Sequence, residues 1–124
     1  MRKLLIAIDF DGTIVEDCYP GPPVKFIYGA KEALLHLERC GHAMFLWTLR
    51  SGTMLDDATE FLINNGIRIS TMLMSKQDAW IKPPVDVFID DRNIGGFVGW
   101  QRVVDEIYGL SKRKSLEVMG DLND

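Results

Sequence analysis

The chain alternates between short apolar runs and longer segments in which apolar residues recur at helical spacing. Three runs, 4–8, 43–47 and 85–89, are mostly apolar, and a fourth, 67–74, also contains Ser and Thr. Short runs that are apolar on both faces are typical of buried strands in a parallel sheet. The pattern therefore predicts four strands.

Three segments between and after these strands have the periodicity of amphipathic helices: 29–41, 53–65 and 98–108. The residues expected to face the core are Ala30, Ala33, Leu34, Leu37, Leu55, Ala58, Phe61, Leu62, Val103, Val104 and Ile107. Helices that alternate with strands imply parallel pairing with right-handed crossovers, so the predicted fold class is α/β. We expect a single domain over 1–110. Residues 111–124 have few apolar anchors, and we expect a frayed or disordered polar tail there.

Composition narrows the class of protein. A chain of 124 residues with 47% hydrophobic content suits one domain with one core. Its net charge of −4 provides no basic field for nucleic acid, and no stretch approaches membrane-spanning length. Cys18 and Cys40 lack metal-ligand spacing, which favours reduced, unpaired thiols. We expect a soluble cytoplasmic protein without a membrane or nucleic-acid partner.

Reactive polar residues follow the apolar runs. Asp9-Phe10-Asp11-Gly12-Thr13 comes after the first run, Thr48 after the second and Asp90-Asp91 after the last, with Lys82 just upstream of that last strand. Parallel sheets bind ligands beyond the carboxyl ends of their strands, so this set predicts one site. An extended backbone directs the Asp9 and Asp11 side chains the same way, and Gly12 allows a sharp turn.

Each of these residues also has a structural interpretation. Asp and Gly are common turn residues, so Asp9 to Thr13 could be an Asp-rich turn after a strand. Thr48 could be a helix cap or turn residue, and Lys82 could be a solvated surface residue. The repetition of the pattern at successive strand ends favours the functional interpretation.

The ordered motifs resemble those of the haloacid dehalogenase (HAD) superfamily, whose members are mostly magnesium-dependent phosphatases with an aspartate nucleophile. The resemblance covers residues 4–96. Asp9 to Thr13 match the Asp-x-Asp-Gly-Thr motif in full, Thr48 matches the second motif and Asp90-Asp91 the acidic pair. Lys82 is our choice for the motif lysine, with Lys76 as its rival. The resemblance implies a three-layer, Rossmann-like parallel sheet flanked by helices, and the intervals between motifs are too short for a cap domain.

The resemblance also implies roles for the acidic residues. Asp9 would attack phosphorus to form an aspartyl-phosphate, and Asp11 would protonate the leaving oxygen and later deprotonate the attacking water. Mg²⁺ would be held by the Asp9 side chain, the Asp11 backbone carbonyl and Asp90. Asp91 would be a further metal ligand or would bind the water shell of the metal. Manganese, another oxygen-seeking cation, is the alternative metal.

The remaining residues would handle the phosphate. The Thr48 hydroxyl and the Leu49 amide would hold phosphate oxygens, and Lys82 would add positive charge to the transferring group. Arg50 would clamp a substrate carboxylate or second phosphate bidentately, with a surface ion pair as the alternative.

The substrate class is less constrained. Only the proline-rich segment 16–23 could act as a small flap over the site. Such a site suits a bulky nucleic-acid end, protein or glycan, or a small sugar or sugar-acid phosphate if a homo-oligomer supplies a lid. We favour the small-molecule phosphate ester because the chain is acidic.

Two other classes stay open. A receiver domain, which is phosphorylated on aspartate, has a similar size and fold class, but its acidic pair follows the first strand whereas here the pair comes last. A noncatalytic phosphate-binding protein on the same fold is the second alternative. Against it, none of the expected catalytic positions is visibly replaced.

Overall fold

The sheet is parallel throughout and is flanked by helices. The computed structural model describes residues 2–71 and 84–123. The elements in chain order are β1 (Leu5–Ile8), α1 (Ala30–Arg39), β2 (Ala43–Leu46), α2 (Gly52–Asn64), β3 (Ser70–Thr71), β4 (Val87–Ile89) and α3 (Trp100–Asn123). Within the described residues the strand order is β3-β2-β1-β4, and every pairing is parallel. The prediction of an α/β fold with a parallel sheet is confirmed.

The strands that border the central strand β1 end level with it. Ile8, the last residue of β1, pairs with Leu46 of β2 and with Ile89 of β4. The backbone N–H of Asp9 donates to the Ile89 carbonyl at 2.9 Å, and the N–H of Trp47 donates to the Ile8 carbonyl at 2.9 Å. Because side-chain direction alternates along a strand, this register decides which residues leave the sheet together.

The core lies between the sheet and the apolar faces of the helices. All four residues predicted to face inward on α1 are buried: Ala30, Ala33, Leu34 and Leu37. On α2, Ala58 and Leu62 are buried, whereas Leu55 and Phe61 are partly buried against the same core. Helices α1 and α3 contact each other. The hydrophobic periodicity therefore identified the correct helix faces.

Helix α3 extends well beyond the predicted end at residue 108. Residues 111–123 are helical, in contrast to the predicted polar tail. Ser111 lies four residues after the buried Ile107 and is itself 1% exposed, and its hydroxyl donates to the Arg2 carbonyl. The buried face of this helix thus continues at Ser111. Because Ser111 is polar, the hydrophobic pattern alone ended the helix too early.

The other boundaries shift by small amounts. Strand β4 begins two residues later than predicted, and the Asp86 carboxylate just before it accepts a hydrogen bond from the Leu5 N–H at 2.7 Å. The strand predicted over 67–74 has Ser70–Thr71 as its described part, because residues 72–83 lie outside the described residues. No helix in the described ranges combines the length and apolar character that a bilayer crossing requires.

His42 joins the start of β2 to the start of the first strand. The Leu4 N–H donates to His42 Nδ1 at 3.0 Å, so this nitrogen acts as an acceptor. Burial lowers the pKa of His42 below its ordinary value of 6.5, and the positive charges of Lys3 and His36 lower it further. The folded state therefore favours neutral His42.

We expect this histidine to make stability depend on pH. Because the pKa of His42 is lower when the protein is folded, the unfolded chain binds the proton more tightly, and stability is lost as pH falls from about 7 to 5. In His42→Asn an acceptor that does not titrate replaces the imidazole, so the free energy of unfolding should fall less over that interval. Denaturant titrations at several pH values test this, and equal pH slopes in the two proteins would contradict it.

Candidate active site

A cavity of about 180 Å³ collects most of the predicted site residues. Its lining residues are Asp9, Asp11, Asp17, Tyr19, Thr48, Leu49, Asp91 and Arg92. They come from the loops that follow β1, β2 and β4, as expected for parallel strands that end at one edge. A larger groove of about 820 Å³ lies beside α1 and α3 and contains none of the predicted residues.

Asp9 is fixed by the turn that follows it. It is 7% exposed, and its Oδ2 accepts a hydrogen bond from Thr13 Oγ1 at 3.0 Å. Thr13 is fully buried, and its carbonyl accepts a hydrogen bond from Trp100 Nε1 at 2.8 Å. The turn itself closes when the amide N–H groups of residues 13–15 donate to the Phe10 carbonyl. Thr13 therefore orients Asp9 and attaches this loop to the start of α3.

Gly12 brings the turn against the acidic pair. Its φ of +83° is a conformation that side chains with a Cβ rarely adopt, as predicted for the turn. A Cβ added there would lie 2.2 Å from Asp91 Oδ2. Both the backbone conformation and the space require glycine, and Asp91 is in turn placed close to the Asp9 loop.

Three carboxylates gather at this point. Asp9, Asp90 and Asp91 each offer a ligand atom, and these atoms lie within 4.8 Å of one another. The Asp90 carboxylate accepts a hydrogen bond from the Arg92 N–H at 3.1 Å, and its carbonyl accepts from Asn93 Nδ2 at 2.7 Å, so the loop is held in place. Carboxylate oxygens are preferred ligands of hard divalent cations, and the cluster fits such an ion.

Thr48 and Leu49 form the wall contributed by β2. Thr48 is 4% exposed, and its hydroxyl oxygen accepts a hydrogen bond from the Arg50 N–H at 3.1 Å. This contact is the turn role that was the alternative for Thr48, yet the residue also lines the cavity. Thr48 can thus shape the loop and still present its hydroxyl group to a ligand.

Arg50 is placed differently from either expectation. Its side chain is fully buried, and it pairs with Asp11 through Nε to Oδ2 and Nη2 to Oδ1, both at 2.8 Å. The hydrogen bonds to Asp11 raise the pKa of Arg50, so the guanidinium stays charged. The ion pair that we considered does form, but inside the protein, and Arg50 does not line the cavity.

The predicted flap lies at the cavity. Asp17 and Tyr19 line it, and the Gly21 carbonyl accepts a hydrogen bond from Arg50 Nη2 at 2.8 Å. The Cys18 Sγ lies 4.0 Å from the same nitrogen. The segment is therefore attached to the loop that follows β2.

Two predicted lysines cannot be compared with the site, and three cavity residues were not predicted. Lys82 and its rival Lys76 lie outside the described residues. The cavity residues not singled out from the sequence are Asp17, Tyr19 and Arg92. Arg92 directly follows the acidic pair, and the other two belong to the proposed flap, so position alone was the available signal.

Comparison with known proteins adds a family relationship. The solved structure of a conserved protein coded by a locus of Bacteroides thetaiotaomicron is 36% identical to this chain, with a TM-score of 0.76. The match covers 87% of this chain and 92% of that one. The chain therefore belongs to the same family as that conserved protein. No family model and no curated protein matches the chain.

Substitution of Gly12 should disturb both the turn and the acidic cluster. In Gly12→Ala the positive φ costs about 1–3 kcal/mol, and the new methyl group displaces the Asp91 carboxylate. We expect a lower midpoint of thermal unfolding and weaker binding of divalent cations by calorimetry. Gly66→Ala, at another positive φ but with open space around it, is the matched control. Equal cation affinity in the Gly12→Ala variant would contradict the packing argument.

Proposed function

We propose that the protein is a magnesium-dependent phosphatase that hydrolyses a phosphate monoester through an aspartyl-phosphate on Asp9. One observation carries the proposal: Asp9, Asp11, Thr48 and Asp91, each from a predicted motif, line one cavity at the carboxyl edge of the sheet. We propose further that the fold is the three-layer, capless form of the HAD superfamily, which the parallel sheet order supports.

The chemistry explains the concentration of charge. Phosphate monoesters are among the least reactive biological esters, with enzymatic accelerations up to about 10²¹. An anionic nucleophile has to approach an anionic phosphorus centre. A bound Mg²⁺ would supply the positive charge that reduces this repulsion, held by Asp9, Asp90 and Asp91.

Asp9 is suited to be the nucleophile. Thr13 donates a hydrogen bond to one oxygen of the Asp9 carboxylate, and Asp9 lines the cavity. As the Asp9 oxygen bonds to phosphorus, the bond to the ester oxygen breaks, and Asp11 supplies the proton to that leaving oxygen. Water then attacks phosphorus, Asp11 accepts the proton of the water, and the Asp9 carboxylate is regenerated with release of phosphate.

The walls of the cavity can hold the phosphate group. The Thr48 hydroxyl and the Leu49 backbone would contact its oxygens, and Lys82 stays our prediction for the motif cation. The buried pair with Asp11 makes Arg50 a poor candidate for phosphate binding. Arg92, an exposed residue at the cavity, is better placed for a second anionic group of the substrate.

The size of the cavity favours a small substrate. Pockets for drug-sized ligands have volumes of about 300–1,000 Å³, whereas this cavity has about 180 Å³. A phosphate ester of a short polyol or of a sugar acid fits this volume better than a larger substrate that the cavity would have to enclose completely. We therefore propose a small sugar or sugar-acid phosphate.

Phosphate release tests the proposed activity. We expect the wild type with Mg²⁺ to release phosphate from members of a panel of sugar, sugar-acid, nucleotide and oligonucleotide phosphates, and to stop in EDTA. Asp9→Asn should abolish turnover because the nucleophile is lost. The control Asp57→Asn, on the exposed side of α2, should keep the wild-type rate. Wild-type turnover in Asp9→Asn, or no release from any substrate, would contradict the proposal.

Metal binding has a separate readout in thermal unfolding. A cation at a hundredfold excess over its dissociation constant stabilises the folded state by about 2.7 kcal/mol, or roughly 10 °C for a chain of this size. We expect Mg²⁺ to raise the melting temperature of the wild type. The rise should be much smaller in Asp90→Asn and unchanged in Asp57→Asn. Equal shifts in all three proteins would place the cation elsewhere.

A further inference from the structure

Arg50 is the one buried cation within the described ranges. Its side chain is fully enclosed, and it is the largest residue among the fully buried ones. A buried guanidinium is costly unless its hydrogen bonds are satisfied, so its position reflects specific partners. Those partners belong to separate parts of the chain.

The guanidinium joins three segments. Nε and Nη2 bind the two oxygens of Asp11, Nη2 also donates to the Gly21 carbonyl at 2.8 Å, and Nη1 donates to the Met54 carbonyl at 3.4 Å. The same group lies between two rings, 5.3 Å from the centroid of Phe10 and 5.7 Å from that of Tyr19. One nitrogen, Nη2, thus contacts both the Asp11 carboxylate and the flap.

We propose that Arg50 is a positioning residue that fixes the direction of the Asp11 carboxylate and couples it to the flap. The inference rests on the proposed function, because it concerns the residue assigned there to proton transfer. Two parallel hydrogen bonds from a planar fork set both the position and the plane of a carboxylate, whereas one bond sets only a distance. Proton transfer requires that carboxylate within hydrogen-bond reach of the leaving oxygen.

The flap contacts Nη2 of Arg50, the same nitrogen that binds Asp11. The Gly21 carbonyl accepts a hydrogen bond from Nη2, and the Tyr19 ring lies 5.7 Å from the guanidinium. A shift of the flap would therefore move the fork and, with it, the carboxylate. Within the described part of the chain, the hydrogen bonds of the Asp11 carboxylate are both with Arg50. A change at Asp11 can therefore reach the flap through the guanidinium.

The leaving group distinguishes a positioning role from a general structural one. A nitrophenolate departs with little help from a proton, whereas an alkoxide needs protonation. In Arg50→Lys, which keeps the charge but loses the fork, we expect kcat/KM, which reports phosphoryl transfer to Asp9, to fall about 10²-fold for an alkyl phosphate and several-fold or less for p-nitrophenyl phosphate. Hydrolysis of the aspartyl-phosphate is common to both esters and also uses Asp11, so kcat does not separate them. Asp11→Asn should show the same pattern, and the double variant should be no slower than Asp11→Asn alone.

Matched controls separate the possible outcomes. Arg68→Lys makes the same change at an exposed arginine away from the cavity and should leave both rates unaltered. Equal losses of kcat/KM for both esters in Arg50→Lys, or losses that multiply in the double variant, would overturn the positioning role. An inactive wild type would instead overturn the proposed function, and with it the positioning role of Arg50 in proton transfer.

Hydrogen exchange tests the coupling without any turnover, and it does not need an Arg50 variant to fold. The Gly21 N–H donates to the Cys18 carbonyl at 2.8 Å within the flap, so its exchange reports on the order of the turn that presents the Gly21 carbonyl to Arg50. In Asp11→Asn the guanidinium loses a charged partner, so we expect exchange at Gly21 to rise about tenfold. Asp57→Asn should leave it unchanged. Wild-type exchange at Gly21 in the Asp11→Asn protein would contradict the coupling.

Discussion

The buried pair between Arg50 and Asp11 is the interaction on which the site depends. Removal of one partner from a buried ion pair typically costs about 3–5 kcal/mol, a large part of the 5–15 kcal/mol that stabilises an ordinary domain. The pair is bidentate and is enclosed by Phe10, Tyr19 and the Gly21 carbonyl. Because its two members come from the loops after β1 and β2, and because Arg50 also binds the flap through the Gly21 carbonyl, it holds three irregular segments in one arrangement.

The sheet register provides the second constraint. Ile8 pairs with both Leu46 and Ile89, so β1, β2 and β4 end at the same level. The residues that follow each strand then leave the sheet together, which brings Asp9 near Asp90. A shift of one residue in the β1–β4 pairing would turn the side chains to opposite faces and separate the carboxylates, and the same shift in the β1–β2 pairing would turn Thr48 away from them.

Much of the fold and part of the site could be predicted from the sequence. The helix faces followed from apolar periodicity, and the grouping of Asp9, Asp11 and Thr48 followed from their positions at the ends of parallel strands. Both kinds of inference depend on local pattern and on a general property of parallel sheets. For the same reason the acidic pair, Asp90 and Asp91, was expected at this edge.

The remainder depends on contacts between distant residues. Arginine is seldom fully buried, and nothing near Arg50 in the chain indicates its partner Asp11, which lies 39 residues away. The end of α3 was misplaced because Ser111, a polar residue, is buried there through its bond to Arg2. In both cases a polar group satisfied by a distant partner replaces the apolar residue that a hydrophobic pattern would require.

The central claim is that Asp9 carries the phosphoryl group during turnover. The most direct measurement is to mix the protein with the best substrate and Mg²⁺, quench in acid within one turnover, reduce the acyl phosphate with borohydride and locate the modified residue by mass spectrometry. If Asp9 is the nucleophile, it is converted to homoserine. Phosphate release with an unmodified Asp9, or modification at another carboxylate, would contradict the claim.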